Sequence, residues 1–362
     1  NAGTAVTSGS GSVTFDKTVP TLSSVGIASD NTTTTLAKVD DVVTLTFTAS
    51  ETIGTPVVTF TSGSAAITDT SITYASSGNT WTAKYTANTS DTAGTVAYSI
   101  AFSDSVGNAG TAVTSGSGSV TFDKTVPSIS AIATSALSWG AVLNATEDNS
   151  IGTVTVTTSG AEDGQLVTIT LNSAAYTAAV SSNSAAVSIT ASGLQNLTHG
   201  SAYTLTADVS DAAGNAASQV TSSSFTVDTL VPTVNSVTST TTNGTYKSGD
   251  QITVQIVFSQ TVNVTGTPTI TLDTGGSGDV VSYSSGSASQ YLDFVYTVGS
   301  GDTSADLDYT STSALALVGS ATIKDVNGND ATLALPTPGA TNSLADSKAL
   351  VIDTTVPTLS SV

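Results

Sequence analysis

The sequence predicts an all-β protein built from tandem immunoglobulin-like antiparallel β-sandwiches that form an elongated rod. Three observations lead to this prediction. Apolar residues alternate with polar ones over short stretches, turn-forming residues interrupt these stretches about every 8 to 12 residues, and part of the chain is repeated at the spacing of one small sandwich. No stretch has a convincing helical period, so we expect several small cores and negligible helix.

The alternation is the period-2 pattern of strands that bury one face. It is carried by the residues Val43, Leu45 and Phe47, Val154 and Val156, Val167, Ile169 and Leu171, Leu205 and Ala207, and Ile252, Val254, Ile256 and Phe258. A parallel β-helix is the alternative, because runs such as Thr153 to Thr157 also occur there. The long repeat favours the sandwich, since β-helix coils repeat after about 20 residues.

An internal duplication shows where the repeats of the chain begin and end. Residues Asn1 to Pro20 recur unchanged as Asn108 to Pro127. The end of this segment, an aspartate four residues before a proline, occurs four times, and three of the copies read Asp-x-Thr-x-Pro. The four pairs are Asp16 and Pro20, Asp123 and Pro127, Asp228 and Pro232, and Asp353 and Pro357. Because proline has no N–H to donate to a strand ladder, these positions mark domain junctions.

The prolines are 107, 105 and 125 residues apart, and each spacing suits one sandwich. We therefore predict three complete repeats with parts of two more. The predicted ranges are 1–17 for the last strand of a preceding repeat, 18–124, 125–229 and 230–354 for the three repeats, and 355–362 for the first strand of a following one.

Composition narrows the functions open to this chain. Seven Lys, no Arg and 27 acidic residues give a formal net charge of −20, which repels nucleic acid and anionic membranes and attracts divalent cations. Only three of the acids are Glu, so the acidic residues are overwhelmingly Asp. Short carboxylates in loops suit Ca²⁺, although Asp also favours turns for local reasons.

Catalytic chemistry has little support in the sequence. The chain has no Cys, which excludes disulfides, thiolate metal sites and a thiol nucleophile. The single imidazole, His199, has no recognisable catalytic partners nearby in sequence and is expected to be an exposed turn residue. No long apolar span or signal-like N-terminus is present. We expect an internal fragment of a non-enzymatic protein.

The Asp-x-Thr-x-Pro junctions and the turns Asp104 to Asn108 (DSVGN) and Asp211 to Asn215 (DAAGN) resemble the bacterial Ig-like repeats of giant surface adhesins, including RTX-type and biofilm-associated proteins. The third turn departs slightly, as Asp325 to Asp330 (DVNGND). The resemblance covers essentially the whole chain. It implies display outside the bacterial cell, a rod of extender domains and Ca²⁺ near the junctions.

Strand geometry predicts which acidic residues meet. Within a repeat the Asp-x-x-Gly-Asn turn precedes the last strand and the junction Asp ends it about 15 residues later, so the two lie at opposite ends of the sandwich. Each turn should instead meet the junction Asp before its own repeat. The predicted groups are Asp16, Glu51, Asp104 and Asn108; then Asp123, Asp211 and Asn215; then Asp228, Asp325 and Asn329; Asp353 would begin a fourth.

Two further predictions complete the candidate sites. In the place of Glu51 we expect neutral ligands, Asn172 in the second repeat and Gln260 in the third, which would weaken a Ca²⁺ site. At the opposite end of each repeat, Asp41, Asp163 and Asp250 are expected beside the next domain's site. The competing interpretation is that Asp, Gly and Asn serve only as turn formers.

The expected function is structural and adhesive: Ca²⁺-stiffened extender repeats that display an adhesive region away from the bacterial surface. The expected partners are the neighbouring repeats and an unknown adhesion ligand, with no nucleic acid and no membrane insertion. A subunit of a self-assembling layer, sheath or filament remains the alternative, with other copies of the chain as partners. An enzyme or ligand-binding module would need a pocket with convergent polar groups, which the sequence does not indicate.

Overall fold

A computed structural model describes Thr4, Gly9 and residues 11–358. The strands of domain 1 are β1 Leu22–Ser29, β2 Leu36–Ala37, β3 Val42–Ala49, β4 Val57–Ser62, β5 Ala65–Ala66, β6 Thr73–Ser77, β7 Thr80–Thr86, β8 Gly94–Ala101 and β9 Val120–Phe122. They form one sheet in the order β1-β3-β7-β6 and a second in the order β2-β9-β8-β4-β5. This is the two-sheet arrangement of an immunoglobulin-like sandwich, and it confirms the predicted fold class.

Domain 2 repeats this plan with shorter strands. Its strands are β10 Ser128–Ile129, β11 Val142–Asn144, β12 Gly152–Ser159, β13 Leu166–Leu171, β14 Ala174–Ala179, β15 Ser184–Ile189, β16 Ala202–Tyr203, β17 Leu205–Asp208, β18 Val220–Thr221 and β19 Phe225–Asp228. The sheet orders are β10-β12-β15, β11-β19-β16 and β14-β13-β17-β18. A 3-10 turn covers Thr134–Ala136 and a helix, α1, covers Ala191–Gln195.

Domain 3 is the largest repeat. Its strands are β20 Val234–Ser239, β21 Gly244–Tyr246, β22 Gln251–Thr265, β23 Thr269–Leu272, β24 Asp279–Ser285, β25 Ser289–Thr297, β26 Thr303–Ser304, β27 Leu315–Ala316, β28 Thr322–Lys324 and β29 Leu350–Asp353, with helix α2 at Leu344–Ser347. The sheets are β20-β22-β25-β24-β23-β27, with β28 on β22, and β21-β29-β26. The extra length relative to domain 1 is divided between the segment before Asp325 and the segment after it.

Each domain has its own core, as the alternation predicts. Buried apolar residues form separate clusters within residues 25–122, 129–227 and 237–352. The alternating residues of β3 and β22 are at most 1% exposed. Trp139 packs edge-on against Phe225 with ring centroids 5.3 Å apart, so this aromatic serves the core of domain 2.

The strand ladders of the described residues run from 22 to 353 and fall inside the three predicted repeats. Residues 11–17 and 355–358 form no strand. The assignment of 1–17 and 355–362 to neighbouring repeats therefore stays a prediction, and residues 1–3, 5–8, 10 and 359–362 lie outside the described residues. Within the described part, no helix has the length and apolar character needed to cross a membrane.

Candidate functional site

The Asp-x-x-Gly-Asn turn has the same structure in all three domains. It lies at the end of each sandwich where the chain enters the domain, which we call the leading end. In domain 1 the Oδ1 atom of Asp104 accepts hydrogen bonds from the N–H groups of Val106, Gly107 and Asn108, at 2.9, 2.8 and 2.9 Å. Asp211 and Asp325 accept from the N–H of Asn215 and Asn329 at 2.8 and 2.9 Å. The turn glycines have φ of 103°, 87° and 91°, a backbone region that favours glycine.

Each turn contacts the junction before its own domain, as strand geometry predicts. The side-chain amide of Asn108 donates to the main-chain oxygen of Asp16 at 3.3 Å. Asn215 donates to the same atom of Asp123 at 3.1 Å, and Asn329 donates to that of Asp228 at 3.0 Å. The same amides also donate to the carboxylates of Asp104, Asp211 and Asp325 at 2.7 to 2.9 Å. One asparagine thus ties each turn to the incoming chain.

At the leading end of domain 1 three carboxylates converge. Asp16, Glu51 and Asp104 each offer an oxygen, and these oxygens lie within 4.8 Å of one another. Glu51 reaches this place because it follows β3, and Ile53 then bridges to Asp104. Asn108 directs its amide nitrogen to the Asp16 main-chain oxygen and the Asp104 carboxylate, so in this geometry it acts as a donor. The metal-binding role of all four residues stays a prediction.

Asp104 is the most enclosed of these carboxylates, at 5% exposure. Burial raises the pKa of this carboxyl group, but the hydrogen bonds from the Asn108 side chain and from three backbone N–H groups outweigh burial, so its pKa lies below the ordinary value. The turn therefore holds Asp104 as a carboxylate. A negative charge fixed beside Asp16 and Glu51 is suited to a hard cation.

Domain 2 corrects two of the sequence predictions. Asn172 is not the counterpart of Glu51, because it lies in the turn between β13 and β14 at the far end of the domain. The counterpart is Glu162, which follows β12 and accepts a hydrogen bond from the N–H of Ala212 at 2.8 Å. Both β12 and β13 have the alternating pattern, and the sequence alone did not show which of them pairs with the first strand.

Asp163 is misplaced for the same reason. It was expected at the end of domain 2 that faces domain 3, which we call the trailing end, but it follows β12 at the leading end. There its Oδ1 accepts from the N–H of Ser182 at 2.8 Å. Asp123, Asp211 and Asn215 come together through the Asn215 amide, and their role as metal ligands stays a prediction.

Domain 3 meets its junction through neutral groups. Gln260 occupies the place of Glu51, as predicted, and its amide donates to the Leu230 main-chain oxygen at 2.8 Å and to Asp325 at 3.4 Å. Asn327 donates to the Asp228 carboxylate at 2.5 Å. His199 contacts the junction on the other side, where its Nδ1 accepts from the Thr229 N–H at 3.1 Å and lies 3.4 Å from Asp228. The metal role of Asp228, Asp325 and Asn329 stays a prediction.

The trailing ends carry a second repeated turn. Asp41 accepts from the Lys38 N–H at 2.8 Å, Glu147 from the Asn144 N–H at 3.0 Å, and Asp250 from the Lys247 N–H at 2.9 Å. Glu147, and not Asp163, is therefore the counterpart of Asp41. Asp353 ends β29 and accepts from the Thr355 N–H at 2.9 Å, a bond that lowers its pKa. Ligand roles for Asp41, Asp250 and Asp353 stay predictions.

Sequence reasoning missed the residues that join one domain to the next. Asn31 donates to the Asp41 carboxylate at 2.7 Å and to the Ala213 main-chain oxygen of domain 2 at 2.9 Å. Asn144 donates to the Asn327 main-chain oxygen of domain 3 at 3.2 Å. The acidic residue three positions after Lys38, Asn144 and Lys247 was the available signal, because it marks the same turn in all three repeats.

No protein-family profile and no curated protein matches this sequence. Among solved structures, a 1.5-MDa bacterial ice-binding adhesin, in a study of its retention on the host cell surface, is 19% identical over 87% of this chain and 95% of that chain, with a TM-score of 0.43. A Ca²⁺-stabilized adhesin that helps an Antarctic bacterium reach out and bind ice is 21% identical over 93% and 75%, with a TM-score of 0.48. The titin I-band fragment I67–I69 is 11% identical over 83% and 94%, with a TM-score of 0.37. Similarity at this level carries no argument about function.

Proposed function

We propose that this chain is a structural, non-enzymatic segment of an extracellular bacterial adhesin. Its sandwiches form a rod that holds an adhesive region away from the cell surface. Ca²⁺ held by Asp16, Glu51 and Asp104 stiffens the rod where the chain enters domain 1. The observation that carries the proposal is the repeated joint, in which one asparagine of each turn bonds the main chain just before its own domain.

This joint suits a mechanical role because it constrains the linker on both sides. The asparagine amide of the following domain bonds the main-chain oxygen of the junction aspartate. In the linker between domains 1 and 2, the Lys124 ammonium donates to the main-chain oxygens of Thr89 and Asp91 in domain 1, at 2.9 and 2.6 Å. Linker segments held at both ends transmit orientation from one sandwich to the next. A string of such joints favours a stiff spacer.

The carboxylates at the leading end of domain 1 fit Ca²⁺. Oxygen ligands bind this ion at about 2.3 to 2.6 Å, so one ion can contact three oxygens that lie within 4.8 Å of one another. Without a cation the three like charges repel. Asp16 belongs to the incoming linker, whereas Glu51 and Asp104 belong to domain 1. A bound ion would therefore fix the linker to the sandwich.

Calorimetric titration of the chain with CaCl₂, with melting followed by Trp81 fluorescence, tests the calcium proposal. We expect binding and a higher melting temperature of domain 1, because native-state binding stabilises by about 2.7 kcal/mol when the free ion is at 100 times its Kd. Glu51→Gln should abolish the effect. Glu162→Gln, the counterpart in domain 2, is the matched control and should retain it. Absence of binding, or equal loss in both variants, contradicts calcium at this site.

A self-assembling layer or filament is the second candidate, and one observation favours it. Val13 and Phe15 are 99% and 85% exposed, and residues 11–17 pair with no strand within the described residues. An apolar segment of strand-forming sequence can pair with another copy. Small-angle scattering over a concentration series separates the two proposals. A rod segment keeps one mass and one maximum dimension. An assembling subunit grows in both as concentration rises.

A further inference from the structure

The short strands β2 and β11 lead to the residues that face the next domain, and β21 is the corresponding strand of domain 3. Each runs parallel to the last strand of its own domain, with Ala37 beside Phe122, Asn144 beside Asp228, and Tyr246 beside Ile352. This register places Lys38, Asn144 and Lys247 at the trailing end, next to the junction aspartate. We call these three the joint residues.

Lys38 lies against the turn of domain 2. A Cβ atom added at Gly214 would be 3.6 Å from Cε of Lys38, which is ordinary van der Waals contact. The ammonium group of Lys38 bonds Asp41 at 2.8 Å. This bond, with the negative charges of Asp41, Asp30 and Asp40, raises the pKa of Lys38. A cationic side chain thus already lies among the acids at this joint.

Asn144 takes the same position against domain 3. A Cβ atom added at Gly328 would be 3.2 Å from Nδ2 of Asn144, closer than most real contacts. The same Nδ2 donates to the Asn327 main-chain oxygen. The next residue, Ala145, donates its N–H to Oδ1 of Asn329 at 2.7 Å. Neutral amide and backbone groups therefore close this joint.

We infer that the joints between domains 1 and 2 and between domains 2 and 3 are closed by the chain's own side chains and need no cation, with Lys38 and Asn144 as the residues that determine them. This refines the rod proposed above, because calcium dependence would then be confined to the leading end of domain 1. A rod with calcium at every joint does not fit the chemistry of these residues. The first joint contains the ammonium group of Lys38, and the second contains the neutral amide donors Gln260 and Asn327.

The inference also assigns a reason for the turn glycine beyond its positive φ. At Gly328 the missing side chain leaves room for Asn144, whereas a Cβ atom at Gly214 would be in ordinary contact with Lys38. Gly107 has similar φ, but within the described residues an added Cβ would meet nothing within 4 Å. Gly107→Ala and Gly328→Ala therefore carry the same backbone strain, and only the second disturbs a joint.

Distances between spin labels test the inference in the complete chain, which has no native Cys to block. Labels at Ser76→Cys and Ala175→Cys report the first joint, and labels at Ala175→Cys and Ser282→Cys report the second. We expect narrow distance distributions that are the same in CaCl₂ and in chelator. Lys38→Ala should broaden only the first, and Asn144→Asp, which keeps the side-chain oxygen and removes the donor, only the second.

Matched controls make the outcome decisive. Lys247→Ala removes the joint residue of domain 3 and should change neither distance distribution. Gly107→Ala should leave the distance distribution of the second joint as narrow as before, whereas Gly328→Ala should broaden it. Asn31→Ala is a second test of the first joint should Lys38→Ala unfold. Broadening by chelator at either joint, or joint variants that behave like Lys247→Ala, would overturn the inference. A failure of calcium to bind near Asp16 would contradict the proposed site and leave these expectations intact.

Discussion

Residues 11–20 and 118–127 have the same sequence but different structures. The second copy contains β9, with Val120 and Phe122 at 0% and 1% exposure, whereas the same residues of the first copy, Val13 and Phe15, are almost fully exposed. β9 pairs with β8 on one side and β2 on the other. The first copy has no such neighbours among the described residues. Strand formation here depends on partner strands and not on local sequence.

The two copies share the hydrogen bonds of their junction aspartates. The Thr18 N–H bonds Oδ1 of Asp16 at 2.8 Å, and the Thr125 N–H bonds Oδ1 of Asp123 at the same distance. In both copies the main-chain oxygen of the aspartate also accepts from the asparagine of the following turn. Short aspartate-to-backbone bonds need only neighbouring residues. This aspartate-to-backbone bond is therefore less dependent on tertiary context than the strand that leads to it, whereas the asparagine bond joins residues 92 positions apart.

Alanine substitution of the two equivalent phenylalanines should show the largest contrast. Phe122→Ala removes a buried ring and should destabilise domain 1 by about 3 to 5 kcal/mol. Phe15→Ala removes an exposed ring and should stay within about 0.5 kcal/mol. Urea unfolding followed by Trp81 fluorescence, in a Trp139→Phe background, reports domain 1 alone. Equal destabilisation would mean that residues 11–15 are paired in solution.

The two turn asparagines should behave alike, because they make the same bonds. Asn108→Ala and Asn215→Ala each remove donors to a carboxylate and to a main-chain oxygen, and we expect a loss of about 1 kcal/mol in domain 1 and domain 2 respectively. Trp81 in a Trp139→Phe background and Trp139 in a Trp81→Phe background report the two domains separately in urea titrations. A loss confined to Asn215→Ala would show that the Asn108 bond to Asp16 does not form without the paired strand.

Much of the fold could be predicted from the sequence. The period-2 pattern predicted the buried faces of β3, β12 and β22. The repeat bounds drawn from the aspartate-to-proline spacing stay a prediction. The contact of each turn with the preceding junction also followed, since it depends only on strand direction. These features repeat along the chain, and repetition is visible in a single sequence.

The predictions failed where two segments share one pattern. β12 and β13 both alternate, so Asp163 was assigned to the wrong end of domain 2, Asn172 was taken in place of Glu162 as the counterpart of Glu51, and Glu147 was missed. The joint residues were missed for another reason. Lys38 and Asn144 have different chemistry in the same position, so no common residue type at that position marks them. Their equivalence is shown by the acidic residue three positions later and by the parallel pairing of β2 and β11.

The smallest expected effect is the loss of stability of domain 1 at low pH. Hydrogen bonds in the turn outweigh burial and lower the pKa of Asp104 in the folded protein, whereas an unfolded Asp has a pKa of about 3.9. As pH falls below that value the unfolded chain takes up the proton first, so the stability from this group is present above about pH 4 and is lost as pH falls through the folded pKa.

Melting of domain 1, followed by Trp81, should therefore decline as the pH is lowered from about 5 towards 2, and Asp104→Asn should reduce the slope because the amide does not titrate. It should not remove the slope, because Asp69 and Asp41 in the same domain also have lowered pKa values. Two backbone hydrogen bonds lower the pKa of Asp69. Hydrogen bonds from Lys38 and Asn31 outweigh burial and lower the pKa of Asp41. Phe15→Ala, which leaves all three carboxylates in place, is the control and should keep the full slope. An unchanged slope in Asp104→Asn would mean that the turn is already open in solution, and the asparagine bond to Asp16 would then not order the incoming chain.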